Sequence, residues 1–189
     1  PHYSPLKIAE QFRVLEAIAP GRIDLGLGRA PGSDGQTAHA LNPSSLINAE
    51  KFPSDVRDLM AWATNDKLLE GHPFEGIRAY PNGPTSPDFW MLGSSNYGAQ
   101  VAAHFGIPYC FAHFITDGIG AADTIKMYKD NYSPSKRYPV PITSICIWAL
   151  AARTKAEATK LFSSRAWWKI KREQGILGPI SSPNSIKKN

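Results

Sequence analysis

Apolar side chains recur along this chain in two alternating rhythms, a period of about 3.6 residues and short, nearly continuous runs. Ile8, Phe12, Leu15 and Ala19 fall on one face of a helix, which Ser4 caps, Pro5 opens and Pro20-Gly21 stops. Arg22–Leu27 alternates and predicts a strand. Gly28–Asn48, rich in Gly, Pro, Ser and Asn, is expected to form a long excursion. Pro53–Thr64 places Val56, Leu59, Met60 and Ala63 on one face of a second helix. Leu68–Asp88, with four prolines and three glycines, reads as irregular. Phe89–Leu92 is a short apolar strand, followed by Gly93-Ser94-Ser95 and a helix over Asn96–Phe105 that Gly106 and Pro108 terminate. Tyr109–Ala112 predicts a strand, Ala121–Tyr132 an amphipathic helix and Ile142–Ala151 a strand of branched residues. Thr154 caps a last helix, Lys155 to about Lys171, and the tail after Gly175 is expected to be unstructured.

Helices and strands therefore alternate strictly, which predicts an α/β fold with a parallel sheet covered by helices. Short connections predict that Ile23–Leu27, Phe89–Leu92, Tyr109–Ala112 and Ile142–Ala151 lie parallel and adjacent in that order. Four strands are too few for a closed (β/α)8 barrel, which takes about 250 residues.

Composition narrows the class. In 189 residues, 42% are hydrophobic and 11% aromatic, enough for a packed core, so disordered and low-complexity classes are excluded. The net charge of +5 is uneven: from Arg153 onward nine basic residues face two acidic ones, leaving twelve basic against fourteen acidic before it. The basic character thus belongs to the last helix and tail. Cys110 and Cys146 sit in apolar runs and are expected to be buried strand thiols in a reducing compartment. The longest apolar stretch, Ile145–Ala152, is far short of the ~20 residues of a membrane span, and no signal-peptide pattern opens the chain. A soluble, cytoplasmic protein is expected. The chain opens at Pro1, mid-loop, which suggests a fragment.

In parallel α/β folds ligands gather at the carboxyl ends of strands, and two segments there are chemically prepared. Gly26-Leu27-Gly28-Arg29-Ala30-Pro31-Gly32 leaves the first strand; its glycines permit close backbone approach, and Arg29 offers a fork of donors suited to phosphate or, alternatively, to a salt bridge. Leu92-Gly93-Ser94-Ser95-Asn96-Tyr97-Gly98 joins a strand to a helix, whose N-terminal N–H groups and dipole can hold an anion; ordinary serine capping is the competing reading. His113 follows the third strand toward the same face, His2 and Tyr3 precede the first helix, and His104 reads as a surface or packing residue. No histidine has metal-ligand spacing, so no metal is expected, and no P-loop or GxSxG elbow occurs. Trp167-Trp168 beside Lys169, Lys171 and Arg172 could stack and pair with nucleic acid, but reads better as a solvated basic helix face, so no nucleic-acid partner is expected.

These residues match a family. Pro1–Phe12, Leu15-Glu16 and Pro20–Gly32, then Leu92–Ser95, Gly98-Ala99, Ala102-Ala103, Gly106–Pro108 and Phe111–His113, closely resemble the bacterial luciferase-like flavin monooxygenases, most of all their stand-alone oxidoreductase subgroup. The similarity runs from Pro1 to about Gly178. It implies part of a TIM (β/α)8 barrel over residues 1–178, its strands about numbers four to seven of eight, with residues 179–189 as a disordered tail. It further implies FMN, reduced, as cofactor or co-substrate, O2 as second substrate, an unknown small organic substrate, a separate flavin reductase and a homodimer when full length. Site residues carry over as Arg29, Ser94 and Ser95 on the FMN phosphate, with Tyr97 and Gly98 beside them. Gly28 stands where the luciferases carry a cysteine near the flavin ring. Family members extend further at both ends, including a segment that contributes to their active site. No catalytic residue is therefore assigned, and the fragment itself is expected to be inactive. An F420-dependent hydride-transfer enzyme and a non-catalytic flavin-binding protein remain alternatives.

Overall fold

Ser4 caps as its place before Pro5 predicts: its hydroxyl accepts the Lys7 N–H at 3.4 Å, and α1 runs Pro5–Ile18. A computed structural model of the chain describes residues 3–30, 32–43 and 50–186; His2, Pro31, Lys187 and Lys188 lie outside the described residues. After α1 come β1 (Asp24–Leu27), α2 (Gly35–Leu41), α3 (Phe52–Thr64), β2 (Asp88–Gly93), α4 (Asn96–Phe105), β3 (Tyr109–Phe111), the single turn α5 (His113–Thr116), α6 (Ala121–Asp130), β4 (Thr143–Ile145), α7 (Lys155–Glu173) and the turn α8 (Pro183–Ile186). Two compact units result, Pro1–Cys146 and Ile147–Asn189.

The first unit holds one sheet of order β1-β2-β3-β4, parallel throughout. Leu25 pairs with Phe89, Leu27 with Met91, Met91 with Tyr109 and Gly93 with Phe111. These side chains alternate with the pleat. Leu25, Leu27, Phe89, Met91, Tyr109 and Phe111 are buried in a core shared with α1, α3, α4 and α6. Gly26, Trp90, Leu92, Cys110 and Ser144 occupy the other face and are exposed or half-exposed. Within this unit the helices cover one face among the described residues, although a parallel sheet normally buries both.

Several expectations are corrected. Gly28–Asn48 is not wholly irregular: Asp34 caps α2, its carboxylate accepting the Thr37 N–H at 2.9 Å and hydroxyl at 2.8 Å, which holds Asp34 below the usual carboxylate range. The tail likewise carries α8, whose turn Ser182 caps just as Ser4 caps α1. The last strand is Thr143–Ile145 rather than Ile142–Ala151, because no further strand among the described residues pairs beyond it; Ile147, Trp148 and Leu150 are exposed. Cys146 is consequently exposed, and Cys110, on the uncovered face, is half-buried. On α1, Leu15 is 44% exposed, whereas Ala9, Arg13 and Glu16 face inward against α3. The charged Arg13 can do so because it meets backbone carbonyls there. In the second unit the aromatic and basic residues of α7 engage one another, Lys171 over Trp167 at 5.3 Å and Arg172 over Trp168 at 5.6 Å. Among the described residues no helix is long and apolar enough to cross a membrane, and no group of His, Cys, Asp or Glu could hold a metal ion.

Candidate functional site

The carboxyl ends of β1 and β2 are neighbours because Leu27 stands in register with Met91. From β1 the chain continues through Gly28 and Arg29; from β2 it continues through Ser94 and Ser95 into α4. That register brings the two glycine-bearing segments together. The Arg29 guanidinium lies 4.1 Å from the centroid of the Tyr97 ring, the second residue of α4. Tyr97 in turn stands 6.3 Å from Phe52 at the start of α3. Arg29 is exposed and forms no ion pair among the described residues.

At the α4 N-terminus, Ser95 is the N-cap, extended at φ −138° and ψ 164°, yet its side chain makes no capping hydrogen bond. The first-turn N–H groups, which have no partners inside the helix, thus receive no side-chain acceptor from the cap. This turn sits directly on the strand exit: a Cβ at Gly98 would be in ordinary van der Waals contact, 3.6 Å, with both the Gly93 Cα and the Leu92 carbonyl oxygen. An apolar cleft of about 300 Å³ opens beside Gly28, lined by Ile8, Leu25, Phe52 and Val56 with Asp55 at its wall. Burial, and then the neighbouring Asp58, push the Asp55 carboxyl above its ordinary value.

Two supporting residues had no signal in the sequence. The Tyr109 hydroxyl donates to the Gly93 carbonyl at 2.9 Å, and the buried Thr124 on α6 donates to Asn96 Oδ1 at 2.9 Å, tying α4 to its neighbour. Both link residues far apart in the chain, beyond the reach of local spacing. His113 opens α5, and its ring folds against Gly118 in its own loop, Nε2 lying 2.6 Å from where a Cβ would stand. Among the described residues no hydrogen bond, ion pair or ring contact joins it to Arg29 or α4. His104 is exposed against Phe105, and Tyr3 is 48% exposed.

This is a parallel βα protein whose prepared residues collect at the carboxyl ends of adjacent strands. The chain belongs to the luciferase-like monooxygenase family, whose sequence profile matches residues 1–181. It is similar to the luciferase-like monooxygenase of Escherichia coli (strain K12), 40% identical over 184 residues, covering 97% of this chain and 53% of that protein. It is equally similar to the uncharacterized protein YwcH of Bacillus subtilis (strain 168), 40% identical over 190 residues, covering 100% of this chain and 56% of that one. The crystal structure of apo-MsnO8 superposes with a TM-score of 0.81 at 32% identity, covering 97% of this chain and 52% of that one. The chain spans about half the length of the curated relatives it matches. The four-stranded sheet is part of a TIM barrel, as expected from the resemblance.

Proposed function

We propose that the whole protein is a cytoplasmic FMN-dependent monooxygenase acting on a small organic substrate, and that this chain supplies its phosphate grip. The observation that carries the reading is the meeting of Arg29 with the α4 N-terminus at two adjacent strand ends. A phosphate dianion suits that donor set: a guanidinium fork, helix N–H groups at the positive end of the dipole, and the Ser94 and Ser95 hydroxyls. The residues present fit the group, since Ser95 leaves its helix end uncapped by side chain and Arg29 carries no competing carboxylate among the described residues. Bound and reduced, FMN would supply the electrons for O2 activation, while the protein contributes orientation and water exclusion. The apolar cleft beside Gly28 offers a wall that excludes water.

The test compares FMN with riboflavin, which lacks the phosphate, in the full-length protein. Arg29→Ala should weaken FMN by roughly 1.5–3 kcal/mol, the range for a hydrogen bond to a charged group, and Ser94→Ala by on the order of 1 kcal/mol. Riboflavin should bind both variants as it binds the wild type. Equal weakening of riboflavin by Arg29→Ala would make the arginine structural and overturn the phosphate assignment. Copurification with the deazaflavin F420 instead of FMN would replace monooxygenation by hydride transfer. Stoichiometric FMN without turnover, even with a reductase and NAD(P)H, would reduce the protein to a flavin binder.

A further inference from the structure

Gly93 is the last residue of β2, and its carbonyl oxygen accepts two hydrogen bonds, from the Ala112 N–H at 2.9 Å and from the Tyr109 hydroxyl at 2.9 Å. Two donors use both lone pairs of that oxygen and direct it toward β3. The Gly93–Ser94 peptide is trans, so its N–H points opposite to its C=O. β3 and β1 flank β2 on opposite sides. The Ser94 N–H is therefore turned toward the β1 exit, where Arg29 leaves the sheet, and it makes no hydrogen bond among the described residues.

We infer that Tyr109 is a positioning residue for the anion site: its hydroxyl clamps the Gly93–Ser94 peptide so that the Ser94 N–H faces the phosphate of the bound cofactor. The inference rests on the phosphate reading of Arg29 and α4. Tyr109 suits the task. It is fully buried, its ring packs 5.6 Å from Tyr128, and its hydroxyl runs along the strand direction to reach Gly93. Burial also keeps the phenol protonated, its pKa pushed up to about 12, so the donor is present at every physiological pH. A fixed peptide costs nothing to reorganise when the anion arrives, which is the advantage of preorganised donors.

The test is the Tyr109→Phe variant of the full-length protein, titrated with FMN and with riboflavin. The Gly93 carbonyl keeps its Ala112 bond, so the sheet is not left with an unpaired oxygen. FMN should bind about three- to tenfold more weakly, as for loss of one neutral hydrogen bond, with riboflavin unchanged. Should Tyr109→Phe fail to fold, amide hydrogen exchange of the wild type keeps the role testable: FMN should slow exchange at Ser94 and riboflavin should not, and no slowing by FMN would overturn it. Unchanged FMN affinity in a folded variant that retains the wild-type preference for FMN would overturn the positioning role and leave the phosphate reading standing. Equal weakening of FMN and riboflavin would make Tyr109 a packing residue and overturn it likewise. A wild type that binds FMN no tighter than riboflavin would remove the phosphate reading, and the role of Tyr109 with it.

Discussion

Arg13 should be among the most costly residues in the chain to truncate, though it reads as an ordinary surface position of an amphipathic helix. It is 3% exposed, and its guanidinium donates to the Pro81 carbonyl at 2.6 Å, the Ala63 carbonyl at 2.7 Å and Asn82 Oδ1 at 3.4 Å. One side chain thus ties α1 to the end of α3 and to the loop that leads into β2. Arg13→Ala removes all three bonds. The Ala63 carbonyl lies in a fully buried residue and would be left unpaired, at about 1–3 kcal/mol, whereas Pro81 is exposed and water can replace its donor. Loss of the buried aliphatic stem adds about 1 kcal/mol. About 2–4 kcal/mol is expected in total. Urea unfolding of the full-length protein, followed by tryptophan fluorescence, measures it. Arg13→Lys should recover less than half, because a single ammonium cannot reach three separated acceptors. A loss below about 1 kcal/mol for Arg13→Ala would refute the argument, since it would mean water satisfies the carbonyls equally well.

Three further outcomes are expected. Gly106→Ala should destabilise by more than about 1–2 kcal/mol, the left-handed penalty alone, because Gly106 sits at φ +59° and a Cβ would press on the Ser133 carbonyl; thermal melts check it. The raised pKa of Asp55 means that its contribution to stability is full below the unfolded value and is lost as pH rises through the folded one, so Asp55→Asn should gain stability at neutral pH, a gain that shrinks toward about pH 4 in a pH series of melts. The 189-residue chain expressed by itself should self-associate, because β1 and β4 are unpaired edges among the described residues and the first unit's own helices cover only one face of its sheet; a monomer peak by light scattering with a cooperative melt would contradict this.

What the residues determine by themselves is whatever is local. α4 has the bounds expected of it, Asn96–Phe105, because its start and its stop are both written next to it: Ser95 enters extended, and Gly106 leaves in the left-handed conformation that favours glycine. The order of the sheet was equally legible, since parallel strands joined by helices with short connections have few other arrangements. Both candidate segments could be placed at strand ends for the same reason. Whatever depends on a distant partner was decided by the tertiary structure. The last strand stops at Ile145 because pairing, not propensity, defines a strand, and no further strand among the described residues accepts Ile147–Ala151. Leu15 is exposed and Arg13 buried because the packing of α1 on α3 selects the inward face, and carbonyls of α3 and of the loop before β2 make a charge tolerable there. The site divides in the same way. Arg29, Ser94 and Ser95 could be picked out one segment at a time, but their convergence requires Leu27 to stand opposite Met91, and the hydroxyl that orients the Gly93–Ser94 peptide comes from a third strand. A register between strands and a hydrogen bond across a sheet are properties of three dimensions, to which no spacing along the chain corresponds.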